Sequence, residues 1–150
     1  MFKHWVWVVG LVSLAGGCIP NGKEPVSITL ELEVPAEVRV SEAVPLQLKL
    51  KNTGKSPVKV TLGGRPAHDF IVTKPDGTEV WRLSHGGVIQ DILDQKNLNP
   101  GEELVFVAEW HQQDNEGRPV PPGKYLVRGL LNLEPPKKME TEPKSLVISQ

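Results

Sequence analysis

The chain holds a single cysteine, Cys18. No disulfide can form within it, so a hydrophobic core has to hold the fold. Net charge is almost absent too, with 17 Lys and Arg against 18 Asp and Glu for a formal net of −1. That balance excludes the basic stripe with which proteins hold nucleic acid, and the cation cluster that draws a protein to anionic headgroups. Aromatic residues make up only 5% of the chain. Past the N-terminal stretch they are Phe70, Trp81, Phe106, Trp110 and Tyr125, so Val, Leu and Ile must supply most of the core. The N-terminal apolar run is about ten residues, too short for the roughly 20 that a helix needs to cross a bilayer. No glycine loop that would cradle phosphate precedes a helix, and no Gly-x-Ser-x-Gly elbow is present.

The short apolar run has a context of its own. Met1-Phe2-Lys3-His4 is positive, residues 5–15 are rich in Trp, Val and Leu, and Gly16-Gly17-Cys18 ends the stretch in small residues. This is the three-part pattern of an export signal, and small residues before a cysteine are what a lipoprotein signal peptidase reads. Ala15 stands where leucine is commoner. The expectation is a signal peptide over 1–17, lipid on Cys18 and a polar tether over 18–25. Lipidation also disposes of the odd cysteine, which in an exported protein would otherwise be a free thiol or an intermolecular partner. Several acyl chains on one residue give durable anchoring. The implied address is the cell envelope: the outer membrane in a Gram-negative cell, since Ile19 stands where an acidic residue would retain the protein at the inner membrane, and the outer face of the cell membrane in a Gram-positive one.

Residues 26–150 read as one domain of short strands. Ile28, Leu30, Leu32 and Val34 alternate with Thr29, Glu31 and Glu33, and Leu46, Leu48 and Leu50 alternate with Gln47, Lys49 and Lys51. A period of two buries one face of a strand and wets the other. Val58, Val60 and Leu62 follow the turn residues 52–57. Lys74-Pro75-Asp76-Gly77-Thr78 joins two strand patterns into a hairpin, with proline fixing φ, aspartate capping and glycine accepting positive φ. Residues 88–93 fit a helical turn or an irregular crossover. Leu98-Asn99-Pro100-Gly101-Glu102 is a turn. Residues 104–109 are apolar on both faces, which predicts a central strand. Residues 117–123 form a proline-rich loop, 125–133 a long strand, 135–143 an exposed charged excursion, and 146–148 a last strand that either pairs within the domain or caps an edge. Eight or nine strands with near-regular turns predict an all-β, immunoglobulin-like antiparallel sandwich of Greek-key type. Gly123 and Tyr125 look like a tyrosine corner.

Little here points to chemistry. His68 with Asp69, His85, and His111 with Asp114 and Glu116 lack the spacing of a metal site, and no metal or cofactor is expected. Ser84 and His85 are adjacent on a strand end and point to opposite sides, so they do not make a dyad. The chain is expected not to be an enzyme. Trp81 and Trp110 read first as packing residues. The alternative is a recognition patch of Trp110, His111 and Arg118 at a loop mouth.

Taken in order, the residues resemble the BsuPI-type intracellular proteinase inhibitor family of bacteria. The shared pattern is an apolar strand ending at Asn52, then Pro57-Val58, Asp69-Phe70, Asp76-Gly77, Val80-Trp81 and Ser84. It continues through Leu98-Asn99-Pro100-Gly101-Glu102 and Phe106 to Trp110, and closes on the run from Gly117 to Tyr125. The resemblance implies an immunoglobulin-like β-sandwich and inhibition of a bacterial serine proteinase. It carries no reactive-site motif onto this chain, and the family name does not match an exported lipoprotein. Two partners therefore stand open besides the membrane: an unidentified envelope protein, bound by a non-enzymatic immunoglobulin-like domain, or a subtilisin-like proteinase, inhibited from the membrane surface. The oligomeric state is not legible.

Overall fold

The computed structural model describes residues 28–63, 66–86, 94–134 and 137–150. The leader, Cys18, the tether and residues 88–93 lie outside the described residues. Eleven strands run in chain order: β1 (Ile28–Glu33), β2 (Glu37–Arg39), β3 (Val44–Asn52), β4 (Val58–Leu62), β5 (His68–Thr73), β6 (Glu79–Arg82), β7 (Asp94–Leu98), β8 (Glu103–Trp110), β9 (Gly123–Glu134), β10 (Lys137–Glu140) and β11 (Lys144–Ser149).

The alternating segments become strands because each can bury one face. In β3, Val44, Leu46, Leu48, Leu50 and Asn52 are buried while the residues between them face outward. β3 is the middle of a three-stranded antiparallel sheet ordered β1-β3-β8. The second sheet has eight strands and is organised around β9, which pairs with β11 and β5 along its first part and with β10, β5 and β4 further on. This sheet is mixed rather than purely antiparallel, since β2 runs parallel to β11.

The two sheets face each other across Leu46, Leu48, Leu50, Phe70, Val72, Val127, Leu131 and Leu146, all essentially inaccessible to water. Each such side chain contributes about 1.5–3 kcal/mol through burial. The layers are close: a Cβ on Gly129 would collide with Leu48 Cδ1. Glycine on β9 is therefore what lets Leu48 of the facing sheet seat there.

Three features depart from the sequence reading, and one alternative it left open is decided. β8 is an edge strand, not a central one: Val105 and Val107 are 46% and 70% exposed. Its outward valines made both faces look buried. The strand count is higher because β2, β7 and β10 carry little apolar pattern and are recruited by backbone pairing to β11, β4 and β9. Residues 137–140, expected in an exposed excursion, are strand β10. The last strand, β11, pairs within the domain, between β9 and β2.

Candidate functional site

Three connections meet at one end of the sandwich. Val44 at the start of β3 lies opposite Trp110 at the end of β8, Gly123 at the start of β9 lies opposite Ile148, and Thr73 at the end of β5 lies opposite Leu126. Residues 40–43, 74–78 and 111–122 therefore share this end. Ile28, where the described chain begins, pairs with Asn52 at the far end of β3, so the chain enters the domain from the opposite pole.

The longest of the three connections is a built object. Gln113 bridges Pro119, and the Asp114 N–H donates to the Arg118 carbonyl at 2.8 Å. Gly117 sits at φ 80°, where a glycine closes the turn without strain. Asp114 organises the tip. Its Oδ1 accepts the backbone N–H groups of Glu116 at 3.0 Å and Arg118 at 2.9 Å, and its Oδ2 faces Arg118 Nε at 3.0 Å. The Arg118 amide, foremost among these groups, holds the Asp114 carboxyl below its ordinary pKa. Glu116 and Arg118 stand exposed at the tip.

Side chains tie this hairpin to its neighbours. Gln112, buried and at φ 57°, donates from Nε2 to the carbonyls of Arg39 at 2.7 Å and Glu42 at 2.8 Å. That fixes the β2–β3 connection. Asn115 does the same toward β6: its N–H donates to Val80 O at 3.0 Å, its Oδ1 accepts the Arg82 N–H at 2.9 Å, and its Nδ2 donates to Glu79 Oε2 at 3.2 Å. Beneath the hairpin lie Trp81, Trp110 and Tyr125, with Trp110 ring centroids 6.3 Å from Trp81 and 5.7 Å from Tyr125. The Trp110 indole donates to Gln113 O at 2.8 Å, and the Tyr125 hydroxyl donates to Pro121 O, the geometry of a tyrosine corner. An open groove of about 270 Å³ runs between the tip residues Asn115, Glu116 and Arg118 and the β5–β6 hairpin at Lys74 and Glu79.

The structure separates the residues read as a recognition patch. His111 and Arg118 are exposed, but Trp110 is fully buried. The indole supports the loop from below and presents nothing to a partner. The other motif residues lie in turns. Asp76 Oδ1 accepts the Thr78 N–H at 2.8 Å and Gly77 sits at φ 92°. Gly101, after Pro100, sits at φ 84° and donates to Asn52 O at 2.8 Å. Reading the sequence missed Gln112 and Asn115 as organisers, because a polar side chain in a loop gives no sign of whether it faces water or backbone. The Asp114-x-x-Gly117 spacing was a readable turn signal.

The polar cluster around Ser84 is structural. Asp69, 2% exposed, accepts the Ser84 hydroxyl at 2.7 Å and the Ser84 N–H at 3.1 Å, with Arg82 Nη1 at 3.8 Å. The serine proton is directed to a carboxylate, and His85 is exposed. His68 instead stacks on Phe106 at 4.8 Å, and burial lowers its pKa. Among the described residues no group of three His, Cys, Asp or Glu is placed to hold a metal ion.

Two facing β-sheets without a helix among the described residues, a tyrosine corner, and loops gathered at one pole define an immunoglobulin-like β-sandwich. The chain belongs to the BsuPI family, described as intracellular proteinase inhibitor, whose sequence profile matches residues 30–135. Membership in an inhibitor family points to action by binding. No curated protein sequence matches the chain. Among solved structures, the sporulation control protein Spo0M of Bacillus subtilis is similar at TM-score 0.50 and 12% identity, over 82% of this chain and 49% of that one. The alkylpurine DNA glycosylase AlkC of Pseudomonas fluorescens is similar at TM-score 0.45 and 17% identity, over 83% of this chain and 31% of that one. The CARDB domain of the PF1109 protein of Pyrococcus furiosus is similar at TM-score 0.43 and 18% identity, over 82% and 88%. The chain thus spans about half the length of Spo0M and less than a third of AlkC. At these identities the likeness concerns the fold alone.

Proposed function

We propose that this chain is a non-enzymatic, lipid-anchored inhibitor of a subtilisin-like serine proteinase, and that it docks through the three-loop end. The observation that carries the reading is the Asp114–Arg118 hairpin, fixed by hydrogen bonds from Gln112, Asp114 and Asn115 in a chain with no disulfide to offer. A loop ordered before binding avoids the ordering cost that otherwise weakens association. Family membership supports the class of partner. The cysteine-terminated leader supports the anchor, and the chain enters at the pole opposite the loops. A lipid on Cys18 would therefore hold the loop end outward, toward proteinases outside the membrane. The family is described as intracellular, and the signal pattern over 1–17 is what supports an exported member.

The hairpin tip is a tight turn rather than an extended segment, which favours a wedge that obstructs the cleft over a strand that mimics substrate. Titrating a subtilisin-type proteinase with the chain tests the reading. Saturable, stoichiometric loss of activity with the chain left uncut supports it. An intact chain that leaves the proteinase fully active refutes it and leaves the broader reading, an envelope module binding another protein.

A further inference from the structure

The outer edge of β8 is a second surface, separate from the loop end. Among the described residues β8 pairs with β3 on one side and with no strand on the other. Its outward row reads Glu103, Val105, Val107, Glu109, with both valines exposed. Unpaired strand edges are templates for another chain, and proteins commonly blunt them with charge or proline. Here the two central positions are β-branched and apolar, which favours pairing, and the charges stand only at the ends.

Those charges discriminate between occupants. If two copies of β8 paired antiparallel with Val105 opposite Val107, Glu103 would face Glu109 twice, and like charges directly opposite are destabilising. Shifting the register by one pair sets a carboxylate against a valine instead. On the same face Lys49 and Lys51 are outnumbered by Glu31, Glu33, Glu103 and Glu109. Lys49 is engaged by Glu33 at 2.8 Å, and Lys51 reaches Glu103 only at 4.0 Å. Among the described residues Glu109 meets His111 at 3.9 Å. The face keeps a net negative charge around the apolar pair.

We infer that the free edge of β8 binds an extended segment of a partner protein by strand addition. The segment carries two apolar residues at alternate positions, facing Val105 and Val107, and a Lys or Arg two residues beyond each, facing Glu103 and Glu109. Main-chain hydrogen bonds supply the attachment and the alternate side chains supply the selection.

The test uses the full chain in detergent and the peptide acetyl-Lys-Thr-Val-Thr-Val-Thr-Lys-amide, whose symmetry suits either strand direction. Its partner probe replaces both lysines with glutamate. The basic peptide is expected to bind saturably, about tenfold tighter than the acidic one, because two cross-strand charge pairs change sign. The double variant Glu103→Gln, Glu109→Gln puts no like charge opposite Lys51 and is expected to erase that preference while keeping the thermal midpoint of the parent. Two copies of the basic peptide, N-methylated on alternate residue sets, separate strand pairing from simple charge attraction: one set should abolish binding and the other spare it. Equal binding of both peptides, a preference that the double variant leaves unchanged, or equal tolerance of both methylation sets overturns the inference. So does self-association through β8 in sedimentation, which would make a second copy the occupant. None of these outcomes bears on inhibition by the loop end, which is read with a proteinase instead.

Discussion

The Asn115 side chain accepts the Arg82 N–H at 2.9 Å, joining the tip of the β8–β9 connection to a strand 33 residues earlier in the sequence. This bond, with the Asn115 N–H on Val80 O, makes two loops behave as one body. Asn115→Ala should therefore loosen the hairpin more than it unfolds the domain. The expected global cost is about 1 kcal/mol, the worth of a part-buried hydrogen bond, read by urea denaturation. Amide exchange at Gly117 and Arg118 should accelerate well beyond what that global change explains. An unchanged exchange rate at the tip would show that Asn115 does not hold it.

Tyr125 links stability to alkaline pH. Its hydroxyl donates to Pro121 O, and burial raises its pKa above the ordinary 10.0. Folding favours the neutral phenol, so this contribution is complete below pH 10.0 and is lost as pH climbs through the higher folded value. Tyr125→Phe should cost about 1 kcal/mol at neutral pH and flatten the alkaline fall in the thermal midpoint. A neutral substitution with an unaltered alkaline limb would remove the corner's role.

The strands most legible in the sequence were those that bury one face, such as β1 and β3, whose period of two is set by the core they cover. β2, β7 and β10 were not legible, because Val38 and Leu98 are nearly all the apolar area that β2 and β7 bury, and β10 buries none fully. Those strands exist because a neighbour offers backbone partners, which no side-chain pattern records. The candidate site divided in the same way. The loop between Trp110 and Tyr125 was visible from its prolines, glycines and turn residues. What holds it was not: Gln112, Asp114 and Asn115 make the ties. Trp110 packs, as it was first read, and only the alternative of a recognition patch fails, since a tryptophan at a strand end has the same appearance in sequence whether its ring turns out or in.

At the β5–β6 corner, Asp69 accepts both the hydroxyl and the N–H of Ser84. Asp69→Ala leaves both donors without their acceptor and is expected to cost about 2–3 kcal/mol, against about 1 kcal/mol for Ser84→Ala, which removes a single bond. Thermal denaturation of the two variants decides the order. A serine variant as damaging as the aspartate variant would place the importance of the corner in the hydroxyl itself.

Acid should open the hairpin tip selectively. Asp114 is held below its ordinary value of 3.8, chiefly by the Arg118 amide. A depressed carboxyl orders the loop at pH values above 3.8 and releases it as pH falls through the lower folded value. Amide resonances of Glu116 and Arg118 should shift together over that range while those of β3 stay in place. Movement of β3 over the same range would mean acid unfolding of the domain rather than release of the loop.

The pole bearing the hairpin is proposed to meet the proteinase, and substitutions at the two poles separate that end from the other. Glu116→Lys with Arg118→Glu alters the exposed tip, and Lys55→Glu alters the exposed turn after Asn52 at the opposite pole. Inhibition of a subtilisin-type proteinase is measured for both and for the parent. The tip variant is expected to lose inhibition while the Lys55 variant matches the parent. Loss with Lys55→Glu and retention with the tip variant would contradict it and move the interface to the other end of the sandwich.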